Sequence, residues 1–437
     1  MPLVRKVQRA HAGGMSKFVS KQSTKPPAGQ TSAIAVTDVP RSGVVRFLLP
    51  ASIVMSFLAA SSVPTPLYAT YAREFHFSPI TTTVIFGAYA IAVLVALLIL
   101  GRVSDHIGRR PVLLIALAVQ IGAAVVLATA GGVDTLLIGR VLQGAATGAS
   151  LGALGAALLD VDPVRGALAN SAVPGLGTGL GSLVSGLLVQ YVPAPTHVVY
   201  LVLIGVFIVQ GVGVAVSTEK SCRKPGLRAA LVPKIGVPQG IRGRVLAAAP
   251  ILFAVWALSG LYGSLGPVLA RQLTGSTSAL VGGLPFFLLA VISSLAAIGL
   301  SRVSPRAVML CGIAGTIVAA VATLVAVELS SLTGFFASVV VAGFGFGAGL
   351  QGAFRTVMPQ TAPHDRAGVL SVLYVVSYCG MGIPAIIAGV VVVDGGGLVS
   401  SAHDYSLFLI VLAIAALTGL LLTTRSRRHR EDTPPAA

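Results

Sequence analysis

Runs of about twenty apolar residues recur along this chain, one after another, with only short polar loops between them. Twenty residues of helix are what a hydrocarbon core about 30 Å thick demands. In lipid there is no water to satisfy a peptide group, so each run must close its hydrogen bonds within itself, as a helix does. Twelve spans are predicted on this basis. They cover 47–70, 79–101, 111–131, 134–158, 167–190 and 197–217, then 246–269, 277–300, 306–328, 333–357, 367–392 and 404–424. Composition agrees with lipid as the solvent: 55% of residues are apolar and only 10% charged, against about 25% charged in a soluble chain. The expected fold is an all-α integral membrane protein.

The net charge of +17 raises nucleic acid as a partner. The basic residues do not form a face, however; they sit in short clusters between spans, which excludes that class. With a cytoplasmic N-terminus, 27 of the 30 lysines and arginines fall on the cytoplasmic side. Only Arg73 and Arg271 fall outside, and Arg140 lies within a span. That bias is the positive-inside pattern. It predicts a multi-pass protein of the plasma membrane, embedded in the lipid bilayer with both termini cytoplasmic.

The longest internal polar stretch, 218–245, divides the spans six and six. The expected layout is a disordered basic cytoplasmic tail (1–42), a six-helix bundle (43–217), a cytoplasmic linker (218–245), a second six-helix bundle (246–424) and a second tail (425–437). The first tail lacks the apolar core of a signal peptide, and Met15 is a second candidate start. "LRAALV" inside the linker is a candidate short surface helix. The halves share a pattern: "GTGLGSLVSG" (177–186) matches "GMGIPAIIAG" (380–389) at three glycines, all at an offset of 203. Internal symmetry of this kind is expected where two bundles form the halves of a transporter. Cys222, Cys311 and Cys379 form no paired motif, so neither a metal site nor a cofactor is indicated.

Four places carry chemistry. The loop "GRVSDHIGRR" after the second span holds Gly101, Asp105, Gly108, Arg109 and Arg110. If the loop continues as helix, Asp105 and Arg109 can pair at i,i+4; a charged turn serving topology alone is the plainer alternative. In the fourth span, Arg140, Gln143 and Thr147 share one helical face, while Gly144, Gly148 and Gly152 form a small-xxx-small stripe beside it. A buried functional arginine competes here with one that snorkels to the interface. In the fifth span, Gly177, Gly179, Gly181 and Gly186 suggest close packing or a hinge, with Pro384 in the matching segment of the second half. In the first span, Pro64 and Pro66 free backbone carbonyls, a feature that fits a cavity or a kinked end equally well. Tyr68, Tyr89, Trp256, Tyr262, Gln351 and Tyr378 are candidate cavity residues. No Asp or Glu lies in the middle of a predicted span. One arginine with tyrosines and amides suits neutral, amphipathic or anionic organic substrates better than strongly cationic ones.

The loop resembles motif A of the major facilitator superfamily, with Gly101, Asp105, Gly108, Arg109 and Arg110 at the family's positions. "RVLQG" from Arg140 resembles its motif B, and the fifth span resembles its motif C, departing at Ser182, where the family has proline, and at Ser185, where it has glycine. The resemblance implies two six-helix bundles related by a pseudo-two-fold axis. It implies a secondary transporter of the drug and metabolite exporter type, working by alternating access, with a small-molecule substrate and protons as the candidate coupling ion. It assigns motif A to an inner gate that also engages a helix end in the other half, Arg140 with Gln143, Gly144 and Thr147 to coupling or substrate, and motif C to antiport. The Ser182 departure keeps a second reading open: an importer or facilitator of a sugar or organic acid. A membrane receptor or an intramembrane enzyme ranks lower, since the chain shows no HExxH pair and no nucleophile–base pair. No catalytic residue, nucleic-acid partner or obligatory oligomer is expected.

Overall fold

The computed structural model describes residues 41–217, 226–233, 235–275, 278–362, 365–392 and 397–431. The expected tail over 1–40, most of the linker's basic cluster and the chain end after 431 lie outside these residues. Residues 41–437 form one compact unit, and among the described residues every regular element is helical.

Among the described residues, twelve helical segments are long and apolar enough to cross a membrane. Spans 1 to 6 are Val45–Glu74, Ile80–Leu100, Arg109–Ala128, Val133–Val161, Pro163–Tyr191 and Pro195–Val216. Spans 7 to 12 are Gln239–Ser264, Ala279–Gly299, Pro305–Glu328, Leu332–Gln360, Gly368–Val391 and Val399–Leu421. Several run past the apolar stretches that predicted them, because helices continue into polar ends once a cap is available. Span 5 begins at Pro163 because the Asp162 side chain accepts from the backbone N–H groups of Val164 and Arg165, both at 2.9 Å. Ser304 and Ser331 cap spans 9 and 10 in the same way. Residues 425–431, expected in the tail, instead extend the last helix, which runs Gly397–Glu431. "LRAALV" does contain a short helix, Leu227–Ala230.

The packing repeats when span numbers shift by six. Span 1 lies on span 5 and span 7 on span 11; span 2 lies on span 4 and span 8 on span 10. Span 3 packs on spans 4 and 6, and span 9 on spans 10 and 12. The two sets of six meet chiefly along spans 5 and 8 and along spans 2 and 11, which is again one contact and its repeat. An even number of spans puts both ends of the described chain on one side. We call this the near end, and the opposite side the far end.

Close approach inside the first six rests on the glycine stripe of span 4. A Cβ at Gly144 would lie 2.7 Å from the Tyr89 carbonyl oxygen and 2.8 Å from Ala92 Cβ; one at Gly152 would lie 2.8 Å from the Gly101 carbonyl oxygen. Gly148 between them sits against the backbone of Val93 and Leu97. Overpacking of this kind costs about 1–3 kcal/mol. Gly148→Val is therefore expected to lower the melting temperature in detergent by several degrees, whereas Gly122→Ala, where a Cβ meets nothing within 4 Å, leaves it unchanged. Equal melting temperatures for the two variants would show that spans 2 and 4 do not meet backbone to backbone.

Candidate functional site

The site begins with two prolines. Pro64 and Pro66 have no N–H, and span 1 is interrupted there: one helix ends at Ser62 and the next starts at Pro64. Carbonyls of the interrupted turn accept side-chain donors from other spans. Gln143 Nε2 donates to Ala60 O at 2.9 Å, Arg140 Nη1 to Ser61 O at 2.7 Å, and Ser185 Oγ to Val63 O at 2.7 Å. Ala60 O, which Pro64 deprives of its helical partner, is thereby satisfied by Gln143.

Arg140 is 1% exposed, so it does not snorkel. Its Nη1 also donates to Gln143 Oε1 at 2.7 Å, and its guanidinium lies 4.3 Å from the centre of the Tyr89 ring. Among the described residues no carboxylate pairs with it, and its Nε is buried without an acceptor. Two charge-assisted hydrogen bonds and a desolvated cation–π contact of about 2 kcal/mol offset part of a burial cost of several kcal/mol. The charge is held, but it is not neutralised. Thr147 Oγ1 donates to Gln143 O at 2.9 Å and accepts from Gln120 Nε2 at 3.3 Å, which ties span 3 to the same face.

The buried cluster around Tyr68 and Tyr89 continues into the second half, taking in Tyr378, Met381 and Ala385 of span 11, with Trp256 of span 7 packed against it. Trp256 stands 5.1 Å from the Tyr378 ring and 5.6 Å from that of Phe346. Tyr68 Oη, Thr65 Oγ1 and Trp256 Nε1 are buried with no hydrogen-bond partner among the described residues. Four of the six cavity candidates thus belong to one region. The other two lie apart from it. Tyr262 Oη meets Thr323 Oγ1 at 2.7 Å and Ser338 Oγ at 3.3 Å, knotting spans 7, 9 and 10 inside the second core. Gln351 Nε2 donates to Ala297 O at 2.8 Å, joining span 10 to span 8.

The fifth span's glycines serve two neighbours. Gly177 and Gly181 face the backbone of Met55 and Ala59 in span 1, while Gly179 and Gly186 face Val291 and Leu280 of span 8. Their counterparts 203 residues on repeat the arrangement. Gly380 faces Phe253 of span 7, and Gly382 and Gly389 face Ala90 and Thr83 of span 2. Pro384 lies inside the span 11 helix. The two serines that depart from motif C are fully buried donors: Ser182 Oγ reaches Gly283 O of span 8 at 3.0 Å, and Ser185 Oγ reaches the broken turn of span 1.

At the near end, the expectation of one helix through Asp105 and Arg109 is corrected. Gly108 takes φ 102°, a value glycine tolerates, and separates the short helix Ser104–Ile107 from span 3. Arg109, at the start of span 3, bonds Asp160 at the end of span 4, Nη1 to Oδ2 at 2.5 Å. Arg110 donates to the Ala215 carbonyl of span 6. Both of these partners lie in the first six spans. Gly101, just beyond span 2, contacts Gly152 of span 4. Asp160 and Gln120 were missed as site residues. Asp160 was readable as the carboxylate closing span 4 at the motif's own end, and Gln120 as the one amide inside span 3.

The proline break gives a direct test. Pro64→Ala restores an N–H that competes for Ala60 O and leaves Gln143 short of an acceptor, a loss of about 1–3 kcal/mol. Melting temperatures of Pro64→Ala, Gln143→Leu and the double variant are expected to be non-additive, because the residues share one carbonyl. Additive shifts would show that the proline and the amide act independently.

Residues 51–230 match the family profile described as Major Facilitator Superfamily. An "MFS-type transporter" of Aspergillus terreus is 32% identical over 155 residues, 33% of this chain and 28% of that protein. Multidrug resistance protein D of Escherichia coli is 30% identical over 89 residues, 20% of this chain and 23% of that protein. A triacylglyceride transporter of Mycolicibacterium hassiacum is 42% identical over 69 residues, 16% of this chain and 13% of that protein. The aligned segments therefore span less than a third of each relative. The fold likeness is far broader. The nucleoside transporter NupG superposes with a TM-score of 0.66 at 14% identity, covering 86% of this chain and 99% of that one. The human organic anion transporter MFSD10 gives 0.64 at 16% identity, covering 86% and 100%. Residues 51–230 thus carry the profile of the Major Facilitator Superfamily, and the twelve spans in two repeated sets of six share the fold of these two transporters.

Proposed function

We propose that the protein is a secondary transporter that carries small organic molecules across the plasma membrane by alternating access, in the export direction, with its near end in the cytoplasm. The observation that carries this reading is Arg140: a fully buried guanidinium within the first six spans, without a carboxylate beside it among the described residues. A buried charge of this kind marks a functional position. A substrate bearing a carboxylate, a phosphate or a strongly polar carbonyl supplies the missing partner, and Tyr89, Trp256 and Tyr378 supply flat apolar walls. A strongly cationic substrate is repelled.

Export is supported by the likeness of one segment to multidrug resistance protein D of Escherichia coli. The arginines of the motif A loop bind spans 3, 4 and 6 into one near-end block, which fits a gate element that moves with the first half. The proposed energy source is the proton gradient. With no carboxylate in the middle of a span, the protonation step falls to Asp105, to an end carboxylate such as Asp134, or acts indirectly through Arg140.

Purified protein in proteoliposomes, given a panel of anionic, neutral amphipathic and permanently dicationic compounds with and without a pH gradient, tests this reading. Anionic or neutral amphipathic members are expected to move faster with the gradient, and the dications to stay put. Robust dication transport, or no movement of any compound, would overturn it. Arg140→Met should reduce transport about 100-fold while leaving the melting temperature equal or higher, because replacing an uncompensated buried ion by an apolar residue is often neutral or stabilising. Transport at the original rate in that variant would remove Arg140 from the mechanism.

A further inference from the structure

A second basic site lies at the far end of the bundle. Two short helices continue the first span of each half, Pro64–Glu74 and Gly266–Thr274. Each carries an arginine held by the same local bond. Arg73 Nε donates to Ala69 O at 3.3 Å, and Arg271 Nε donates to Pro267 O at 3.2 Å, in both cases four residues back. Neither guanidinium has an ion-pair partner among the described residues. Both line one cleft of about 370 Å³ between the halves, whose walls include Thr70, Gln190 and Ser278 and no acidic side chain. Gln190 and Ser278 also join the halves directly, Ser278 Oγ to Gln190 Oε1 at 2.8 Å.

These are the two basic residues that the positive-inside pattern assigns to the side opposite all the loop clusters. The fold brings them together in one recess, where their charges repel. Burial pushes the Arg271 guanidinium below its ordinary value, and the charge of Arg73 adds to that push. A planar guanidinium pair facing a polar cleft is suited to gripping an oxyanion through paired N–H donors.

We propose that this cleft binds a small oxyanion, a carboxylate or phosphate group held by Arg73 from one half and Arg271 from the other, and that its occupancy keeps the halves together at the far end. An empty cleft favours separation there through repulsion; a filled one replaces repulsion with a shared counter-ion. The proposal concerns binding and closure, and stands apart from what Arg140 carries.

The test uses the full chain with Cys222, Cys311 and Cys379 changed to serine and spin labels at Tyr191→Cys and Leu329→Cys, at the far ends of spans 5 and 9. In neutral detergent, inorganic phosphate or succinate is titrated at constant ionic strength against chloride. A parallel arm uses nanodiscs of zwitterionic phosphatidylcholine, with or without anionic phosphatidylglycerol, in a buffer free of inorganic phosphate. The expected result is a shorter, narrower label distance and a higher melting temperature on anion addition, with apparent affinity weakened about tenfold or more in Arg73→Gln and Arg271→Gln. Arg271→Lys, which keeps the charge but not the fork, is expected to retain part of the effect. A response to phosphate or succinate in detergent identifies a soluble anion; a response confined to phosphatidylglycerol discs identifies a lipid headgroup; either supports the site. No response of the unsubstituted chain in both arms, or an equal response in Arg73→Gln and Arg271→Gln, overturns it.

Discussion

A carbonyl oxygen in hydrocarbon must find a donor, and in this protein that requirement reaches from backbone to mechanism. Two prolines remove donors from the first span. The fold answers at Ala60 O with the Gln143 amide, and the neighbouring carbonyls of Ser61 and Val63 take a guanidinium and a hydroxyl, all drawn from two other helices. The same bonds that repair the backbone also hold Arg140 in place. One local defect therefore positions a charge that would otherwise be expelled toward water, and it joins spans 1, 4 and 5 around that charge.

The repeated architecture surrounds a site that is not itself repeated. Most contacts of the first six spans have a counterpart in the second six, down to the glycines 203 residues apart that face symmetry-related neighbours. The chemistry is divided unevenly. The first half supplies the guanidinium, the amide and the broken turn. The second supplies Trp256 and Tyr378, a pair of rings with one unused N–H.

Much of this was readable from the residues. Twelve apolar runs fix twelve helices because lipid leaves the backbone no alternative, and the glycine match at offset 203 exposes the repeat. Arg140 and Gln143 announce one face by spacing alone. Partners are a different matter. Nothing in the sequence couples Pro64 to Gln143, since that contact depends on which span lies beside which. Asp105 and Arg109 read as neighbours on one continuous helix, and the torsion of Gly108 ends that helix. Tyr262 has the residue type of a cavity lining, yet Thr323 and Ser338 bind its hydroxyl within a structural core. Helix ends were the least legible, because caps such as Asp162 carry polar residues into elements that composition would close earlier.

The glycines also set the mechanical grain of the molecule. Within each half, Gly144, Gly177, Gly312, Gly352 and Gly380 bring backbone against backbone, where no rotamer can give way. Between the halves the facing atoms are mostly side chains: Ile386 at Gly87, Val291 at Gly179, Phe86 at Gly263 and Thr83 at Gly389. Side chains can change rotamer and slide, whereas peptide planes in contact cannot. Each bundle is therefore stiff in itself, and the compliant surface is the seam between them, so thermal energy that deforms this protein is channelled into moving one half against the other.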